Sequence, residues 1–248
     1  MNLRNKTAFV PGGYGGLGAP ICLALAKAGA TVVVAGRDPR RARSLATKIN
    51  GRAVALDVRD ISSIEKTVSA LGRIDILVNC VGMQREQRLE EVTEAAFDEL
   101  LATNLKAAMF LAQAVAKRQK RGSKQVHLLS VRAQLGLRGR GYSAYCATKG
   151  GLAMLVKQHA CELGARGICV NGVAPTVVRT EMGAHWLKNP KTRAWLKERI
   201  PLGRVAEPAD VVGAVLFFCS PASDFVTGQI LYVDGGRSEE HTSELQSH

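Results

Sequence analysis

No CxxC pair and no histidines at ligand spacing occur in this 248-residue sequence, and its six cysteines (Cys22, Cys80, Cys146, Cys161, Cys169 and Cys219) lie singly. That pattern argues against a zinc site and a disulfide framework, and it makes a reducing cytoplasm the natural compartment. No run of about 18 apolar residues is present, and only an ordinary short apolar run follows Met1, so neither a membrane span nor an export leader is expected. Acidic residues are in the minority, 21 against 34 Lys and Arg, for a formal charge of +13. The basic residues are scattered except around Lys117 to Lys124, and no RNA- or DNA-binding module accompanies them. The excess therefore reads first as a solvated surface and second as attraction for an anionic ligand or partner, with no nucleic acid expected. Linkers and internal repeats are also missing. What remains, 46% hydrophobic residues and 25 glycines, is enough for one sizeable core.

Apolar runs of strand length alternate with segments of helical periodicity. Strands are expected at Lys6 to Val10, Thr31 to Ala35, Ala53 to Leu56, Ile74 to Asn79, Gln125 to Ser130, Ile168 to Val173 and Gln229 to Val233. Helices are expected at Leu17 to Ala28, Pro39 to Ile49, Ile61 to Leu71, Thr93 to Arg118, Tyr142 to Leu163 and Pro208 to Cys219. The segment after Pro175 is polar and contains Trp186 and Trp195. Continuous apolar strands joined by helical crossovers imply an α/β fold: a single-domain, doubly wound, seven-stranded parallel sheet of Rossmann type with helices on both faces. Ligands bind such sheets beyond the carboxyl ends of the strands.

Two motifs sit in those loops. Pro11-Gly12-Gly13-Tyr14-Gly15-Gly16-Leu17-Gly18 lies between the first strand and the first helix, where backbone N–H groups and the helix dipole attract a pyrophosphate. Gly13, Gly15 and Gly18 fit a GxGxxG spacing, whereas Gly12, Gly16 and Gly18 fit GxxxGxG. Tyr145 and Lys149 stand four residues apart at the start of a helix, on one face, and an ammonium there is expected to depress the phenol's pKa and suit it to proton transfer. Ser130 ends the preceding strand and is within reach of the same crevice.

Together with Asp57, Asn79-Cys80-Val81-Gly82, Asn104-Leu105, Asn171 to Pro175, Thr180 and Asp234-Gly235-Gly236, these residues make the chain resemble a classical short-chain dehydrogenase/reductase from Lys6 to Gly236. The resemblance implies a catalytic set of Asn104, Ser130, Tyr145 and Lys149. Tyr145 would be the general acid/base and Ser130 would polarise the substrate oxygen. Lys149 would hold the ribose hydroxyls, and Asn104 a helix carbonyl and a relay water. It further implies cofactor contacts from Gly12, Tyr14, Gly16, Leu17, Gly18, Arg37, Asp57, Val58, Asn79, Val81, Gly82, Pro175, Val178 and Thr180, no metal, a small carbonyl or alcohol substrate, and a homodimer or homotetramer. Departures from the pattern are Pro11 in place of Thr, Thr176 in place of Gly, Cys80 and Val81 in the Asn79 loop, and a longer interval from Ser130 to Tyr145, with Arg132 at the alternative register. Within the family the alternatives are a 3-oxoacyl carrier-protein reductase and a sugar or polyol dehydrogenase. Outside it stand a dinucleotide sensor and a nucleic-acid binder.

Cofactor choice turns on Val34-Ala35-Gly36-Arg37-Asp38. Gly36 stands where NAD-preferring relatives carry an acid, Arg37 follows with Arg40 or Arg41 as a second cation, and Asp38 is expected to cap the next helix, so NADP(H) is favoured over NAD(H). His127 and His159 read as packing residues, Cys80 and Cys146 as small fillers, and the two tryptophans as parts of a lid. The last twelve residues, Arg237 to His248, match a translated sequencing adapter. They are expected to lie outside the domain of residues 1–236, so that deleting them leaves stability and activity unchanged.

Overall fold

The computed structural model describes residues 1–239. Seven strands form one sheet in the order β3-β2-β1-β4-β5-β6-β7, every neighbouring pair parallel: β1 (Thr7–Pro11), β2 (Thr31–Gly36), β3 (Arg52–Ala55), β4 (Ile76–Asn79), β5 (Lys124–Leu128), β6 (Cys169–Pro175) and β7 (Ile230–Val233). The expected seven-stranded, all-parallel Rossmann-type architecture is therefore present. The crossover helices are α1 (Gly18–Lys27), α2 (Pro39–Lys48), α3 (Ile61–Leu71), α4 (Glu94–Leu101), α5 (Ala107–Ala116), α6 (Ser143–Gly164), α7 (Ala184–Lys188), α8 (Pro190–Glu198) and α9 (Pro208–Cys219).

The pleat explains why the strands read as unbroken apolar runs. Ala8, Val10, Val32 and Val34 point to one face and pack with Ile21, Leu25, Val211 and Val215 of α1 and α9. Phe9, Val33 and Ala35 point to the other and pack with Ile64, Val68, Leu111 and Val115 of α3 and α5. With both faces covered, successive residues are all buried and polar alternation disappears.

Two elements differ from expectation. The single helix anticipated from Thr93 to Arg118 is interrupted by a π-helical turn at Ala102–Lys106 between α4 and α5. The polar stretch after Pro175 contains the short helices α7 and α8. The start of α8 was legible in principle: Asn189 accepts hydrogen bonds from the Lys191 and Thr192 N–H groups and Pro190 occupies the first turn. The weak apolar periodicity of Lys188 to Glu198 hid it.

Strand order reverses between β1 and β4, so a crevice opens beyond their carboxyl ends. The glycine loop after β1 and the Asn79 loop after β4 meet there. The Cys80 N–H donates to the Pro11 carbonyl at 3.0 Å. No described helix is long and apolar enough to cross a membrane.

Candidate active site

Ser130 stands one residue beyond Leu129, which follows β5, and its hydroxyl hydrogen-bonds the Tyr145 phenol. It also accepts from the Arg132 backbone N–H at 3.2 Å, closing the short turn Val131–Ala133. The longer interval is thus absorbed by residues 134–141, and Ser130 rather than Arg132 reaches the tyrosine's oxygen. Tyr145 and Lys149 share the inner face of α6. The Lys149 Nζ donates to the Leu128 carbonyl at 2.9 Å and lies 5.8 Å from the Tyr145 ring centre.

Both groups are buried, and burial dominates their protonation. It pushes the Tyr145 phenol up to about 12, against smaller lowering contributions from the Ser130 hydroxyl and the Arg132 charge, and it pushes the Lys149 ammonium down to about 8. The expected depression of the phenol by the ammonium is therefore not met. Loss of hydration outweighs the attraction across the site.

Asn104 sits inside the π turn, where the extra residue per turn aims its carboxamide at the Asn79 loop. Its Oδ1 accepts from the Met83 N–H at 2.9 Å, while its Nδ2 donates to the Met83 carbonyl at 2.9 Å and to Thr148 Oγ1 at 3.1 Å. The resemblance gave this side chain a helix carbonyl; it is spent instead on tying the β4 loop to α6. Gly82 borders both side chains: a Cβ there would meet Lys149 Nζ at 3.6 Å and Asn104 Oδ1 at 3.8 Å, ordinary contact distances.

The glycine loop fits a dinucleotide. Gly12 has φ +73°, and the first turn of α1 carries neither a side-chain cap nor an acid; the Ala19 and Ile21 N–H groups donate to the Gly15 and Leu17 carbonyls and Pro20 has none, so the Gly18 N–H at the helix start is the group left to meet a phosphate. Gly16 admits Thr180, whose Cβ would lie 2.6 Å from any Cβ at that position. Leu17 lines the adjoining pocket together with Pro175, Val178 and Thr180. At the end of β2, the Tyr14 ring covers Gly36, where a Cβ would sit 2.4 Å from it. Its hydroxyl accepts from the Asp38 N–H at 2.8 Å. The Arg41 guanidinium lies 4.9 Å from the ring centre. Asp38 caps α2 through the Arg40 and Arg41 N–H groups, as expected, and Arg37 is exposed. The Asp57 pKa is lowered by its hydrogen bonds from Arg59, which grips it at 2.9 and 3.2 Å, and Val58 beside it is buried. The Asn79 Oδ1 accepts from the Val81 N–H at 3.1 Å, fixing the turn of that loop.

Asn79 also faces His127, Nδ2 to Nδ1 at 3.4 Å. Burial, aided by the His159 and Lys149 charges, holds His127 at about 3, so the folded protein keeps it neutral where the unfolded chain protonates it. The sign follows: the unfolded state binds the extra proton between about pH 6.5 and 3, so stability falls as pH drops through that window, by up to ~1.4 kcal/mol per pH unit from this residue. His127→Gln is expected to flatten the slope of melting temperature against pH below 6.5. An unchanged slope would remove His127 as the cause.

A pocket of about 130 Å³ opens in front of Tyr145, lined among others by Gln84, Leu129, Arg132, Thr176, Val177 and Trp186. Trp186 stacks on Tyr142 at 6.2 Å under the Arg140 guanidinium. The Tyr142 hydroxyl receives a bond from Gln84 at 2.7 Å and donates to Glu86 at 2.9 Å. Residue spacing gave no sign of this network, because it joins three loops remote in sequence.

Arg237 also lines the pocket. It and Ser238 are buried: Arg237 donates to Thr176 Oγ1 at 3.1 Å, and the Ser238 N–H to Asp234 Oδ2 at 2.8 Å. The boundary read at Gly236 therefore cuts through packed residues, while residues 240–248 lie outside the described part. Truncation after Gly236 is expected to lower the melting temperature by a few degrees, since two buried hydrogen bonds of ~1 kcal/mol each are lost. A melt indistinguishable from the full chain would restore the earlier expectation.

Residues 13–238 match the family model described as enoyl-(acyl carrier protein) reductase. L-xylulose reductase of Mesocricetus auratus is 38% identical over 238 residues, covering 95% of this chain and 98% of that protein. Gluconate 5-dehydrogenase of Gluconobacter oxydans is 37% identical over 247 residues, covering 95% and 96%. The crystal structure of a gluconate 5-dehydrogenase from Burkholderia cenocepacia, in complex with NADP and tartrate, superposes with a TM-score of 0.91 at 31% identity, covering 96% of this chain and 97% of that one. With this coverage, the glycine loop and the Ser130, Tyr145 and Lys149 cluster have a common explanation: the chain belongs to the short-chain dehydrogenase/reductase family of oxidoreductases.

Proposed function

We propose that this protein is an NADP(H)-dependent oxidoreductase interconverting a secondary alcohol and a carbonyl on a small sugar- or polyol-like substrate, with Tyr145 as the general acid/base. The observation that carries the reading is the joining of Ser130 and Tyr145 in the wall of a small pocket, with Lys149 on the same helix face as Tyr145, beside an uncapped helix N-terminus. Two kinds of support are independent of it: relatives named for xylulose and gluconate, and a neighbour that holds NADP.

The bound nicotinamide would supply or accept the hydride. Gly12, Gly16, Leu17 and Gly18 would hold the pyrophosphate, Asp57 and Val58 the adenine edge, Asn79, Val81 and Gly82 the central ribose, and Pro175, Val178 and Thr180 the nicotinamide end. The protein's own work is proton transfer and alignment. In reduction Tyr145 gives its phenolic proton to the carbonyl oxygen as charge develops there, and Ser130 donates a hydrogen bond to the same oxygen. A phenol held near 12 by burial is a reluctant base, so its proton stays available for reduction. Arg132 is the charge that already lowers the phenol, and Lys149, cationic below about pH 8 and 5.8 Å from the Tyr145 ring centre, would add to the stabilisation of the phenolate left behind.

The first test is consumption of NADPH and NADH with a panel of ketoses, diketones and simple ketones, read alongside oxidation of the matching alcohols. Nucleotide binding without turnover of any member would leave a dinucleotide-binding protein and overturn the proposal.

Preference for NADP(H) rests on Tyr14 covering Gly36, which leaves no room for an acid, and on Arg37 and Arg41 beside it. One or two charge-assisted bonds to the 2′-phosphate are worth about 1.5–3 kcal/mol each before screening, and 1.4 kcal/mol is tenfold in affinity. Arg37→Asp is expected to shift the ratio of kcat/KM values toward NAD by at least about tenfold. Equal use of both cofactors by the wild type would contradict the preference.

A further inference from the structure

We propose that the pocket in front of Tyr145 takes a substrate bearing a carboxylate, held by the Arg132 guanidinium, so that the reacting alcohol or ketone belongs to a small hydroxy or oxo acid. The proposal deepens the oxidoreductase reading above and rests on it.

Arg132 stands two residues beyond Ser130, only 8% exposed, and lines the same pocket as Ser130 and Tyr145. A buried guanidinium is costly unless an anion meets it. Among the described residues no carboxylate lies within ion-pair distance of Arg132, and no Asp or Glu lines the pocket. The nearest acid of the adjoining network, Glu86, is engaged by Arg140 at 2.9 Å and by the Tyr142 hydroxyl. Arg132 Nη1 donates to the carbonyls of Leu135 at 3.0 Å and Gly136 at 2.6 Å. Those bonds fix the plane of the guanidinium without neutralising its charge. Five N–H donors belong to the group, so the two carbonyls, both on Nη1, leave its fork with donors to offer.

A carboxylate meets that fork with two parallel charge-assisted bonds, which a hydroxyl cannot match. A neutral polyol in the same pocket would leave the buried charge unpaired. The cation also lies close enough to Tyr145 to pull the phenol's pKa downward, so it belongs to the environment of the reacting oxygen. Arg237 is a second guanidinium on the pocket wall, bonded to Thr176. It opens the adapter-like segment, so Arg132 alone carries the proposal.

The test pairs aldonates of three to six carbons with the alditols of the same chain length, as substrates for oxidation with NADP+ and as ligands in calorimetry. L-threonate and L-threitol, which differ by one carboxylate, form the central pair. The wild type is expected to bind threonate at least about tenfold more tightly than threitol and to oxidise aldonates with the higher kcat/KM. Arg132→Gln is expected to abolish that preference by raising KM for the acids and not for the alditols, so that the ratio of the two KM values falls toward one. Arg132→Lys, which keeps the charge and loses the fork, is expected to retain part of it. Each of the following results would overturn the proposal: equal affinity of the wild type for the pair, no measurable threonate binding, an unchanged preference in Arg132→Gln, or loss of preference in Arg237→Ala alone. An equal fall on acids and alditols in both Arg132 variants would make the residue a staple for the 134–141 loop instead, and would also overturn it. Absence of turnover with every substrate would sink the oxidoreductase reading, and the calorimetry would still decide the carboxylate site by itself.

Discussion

Tyr145→Phe is expected to lower kcat by about 10³-fold while nucleotide affinity stays within about threefold. The substitution removes one oxygen and leaves the ring, which packs edge-on against Tyr142 at 6.2 Å in a cluster that includes Leu100, Trp186 and Leu196. The lost hydrogen bond to Ser130 is worth ~1 kcal/mol in stability, or a few degrees in melting temperature at this chain length, so the variant should fold. What disappears is the transferable proton, and neither Ser130 nor Lys149 replaces it. The Ser130 hydroxyl ionises far too reluctantly, and Lys149, bonded to the Leu128 carbonyl, is not among the residues that line the pocket. Stopped-flow or steady-state measurement near neutral pH, with nucleotide titration by fluorescence, separates the two effects. Retention of more than about a tenth of the wild-type rate would require another acid.

Gly18→Ala is expected to weaken nucleotide binding by at least about 100-fold and to cost roughly 2–4 kcal/mol of stability. The cause is space rather than backbone conformation. A Cβ at position 18 would lie within van der Waals exclusion of the Gly12 carbonyl oxygen and 2.8 Å from the Gly13 backbone, atoms that cannot swing aside as a side chain can. To admit one methyl group, the loop must lift from α1, and the N–H groups that face the phosphates move with it. Gly213, in α9, is the matched control: nothing lies within 4 Å of a Cβ there, and it is exposed. Gly213→Ala should stabilise the protein by about 0.5–1 kcal/mol through helix propensity. If Gly18→Ala binds nucleotide as the wild type does, close packing of loop against helix is not what holds the phosphate site.

Both predictions concern residues that the sequence already singled out. The Tyr145 and Lys149 spacing and the glycine loop are short-range patterns, written in periods of four residues and in one strand-to-helix junction, and local geometry is enough to read them. The same holds for the seven strands, whose apolar runs follow from burial on both faces, and for the Asp38 cap, where Asp-Pro opens a helix. Element ends slipped by one or two residues, as at β6, which runs on to Pro175, because strand limits are set by neighbouring strands rather than by composition.

Other features depended on which distant segments meet. The sequence specified parallel strands, a phosphate-binding loop and a tyrosine paired with a lysine, because each is a repeat or a junction within a dozen residues. Only the folded chain decided that Ser130 and not Arg132 reaches Tyr145, since both registers fit the spacing and a turn closed by Ser130 chooses between them. It alone placed the π turn that aims Asn104 at Met83, the Tyr14 ring over Gly36 and Arg237 against Thr176. It also reversed the expected pull on the Tyr145 phenol, because the proximity of a charge is visible in a sequence whereas the cost of losing water is set by everything packed around the group.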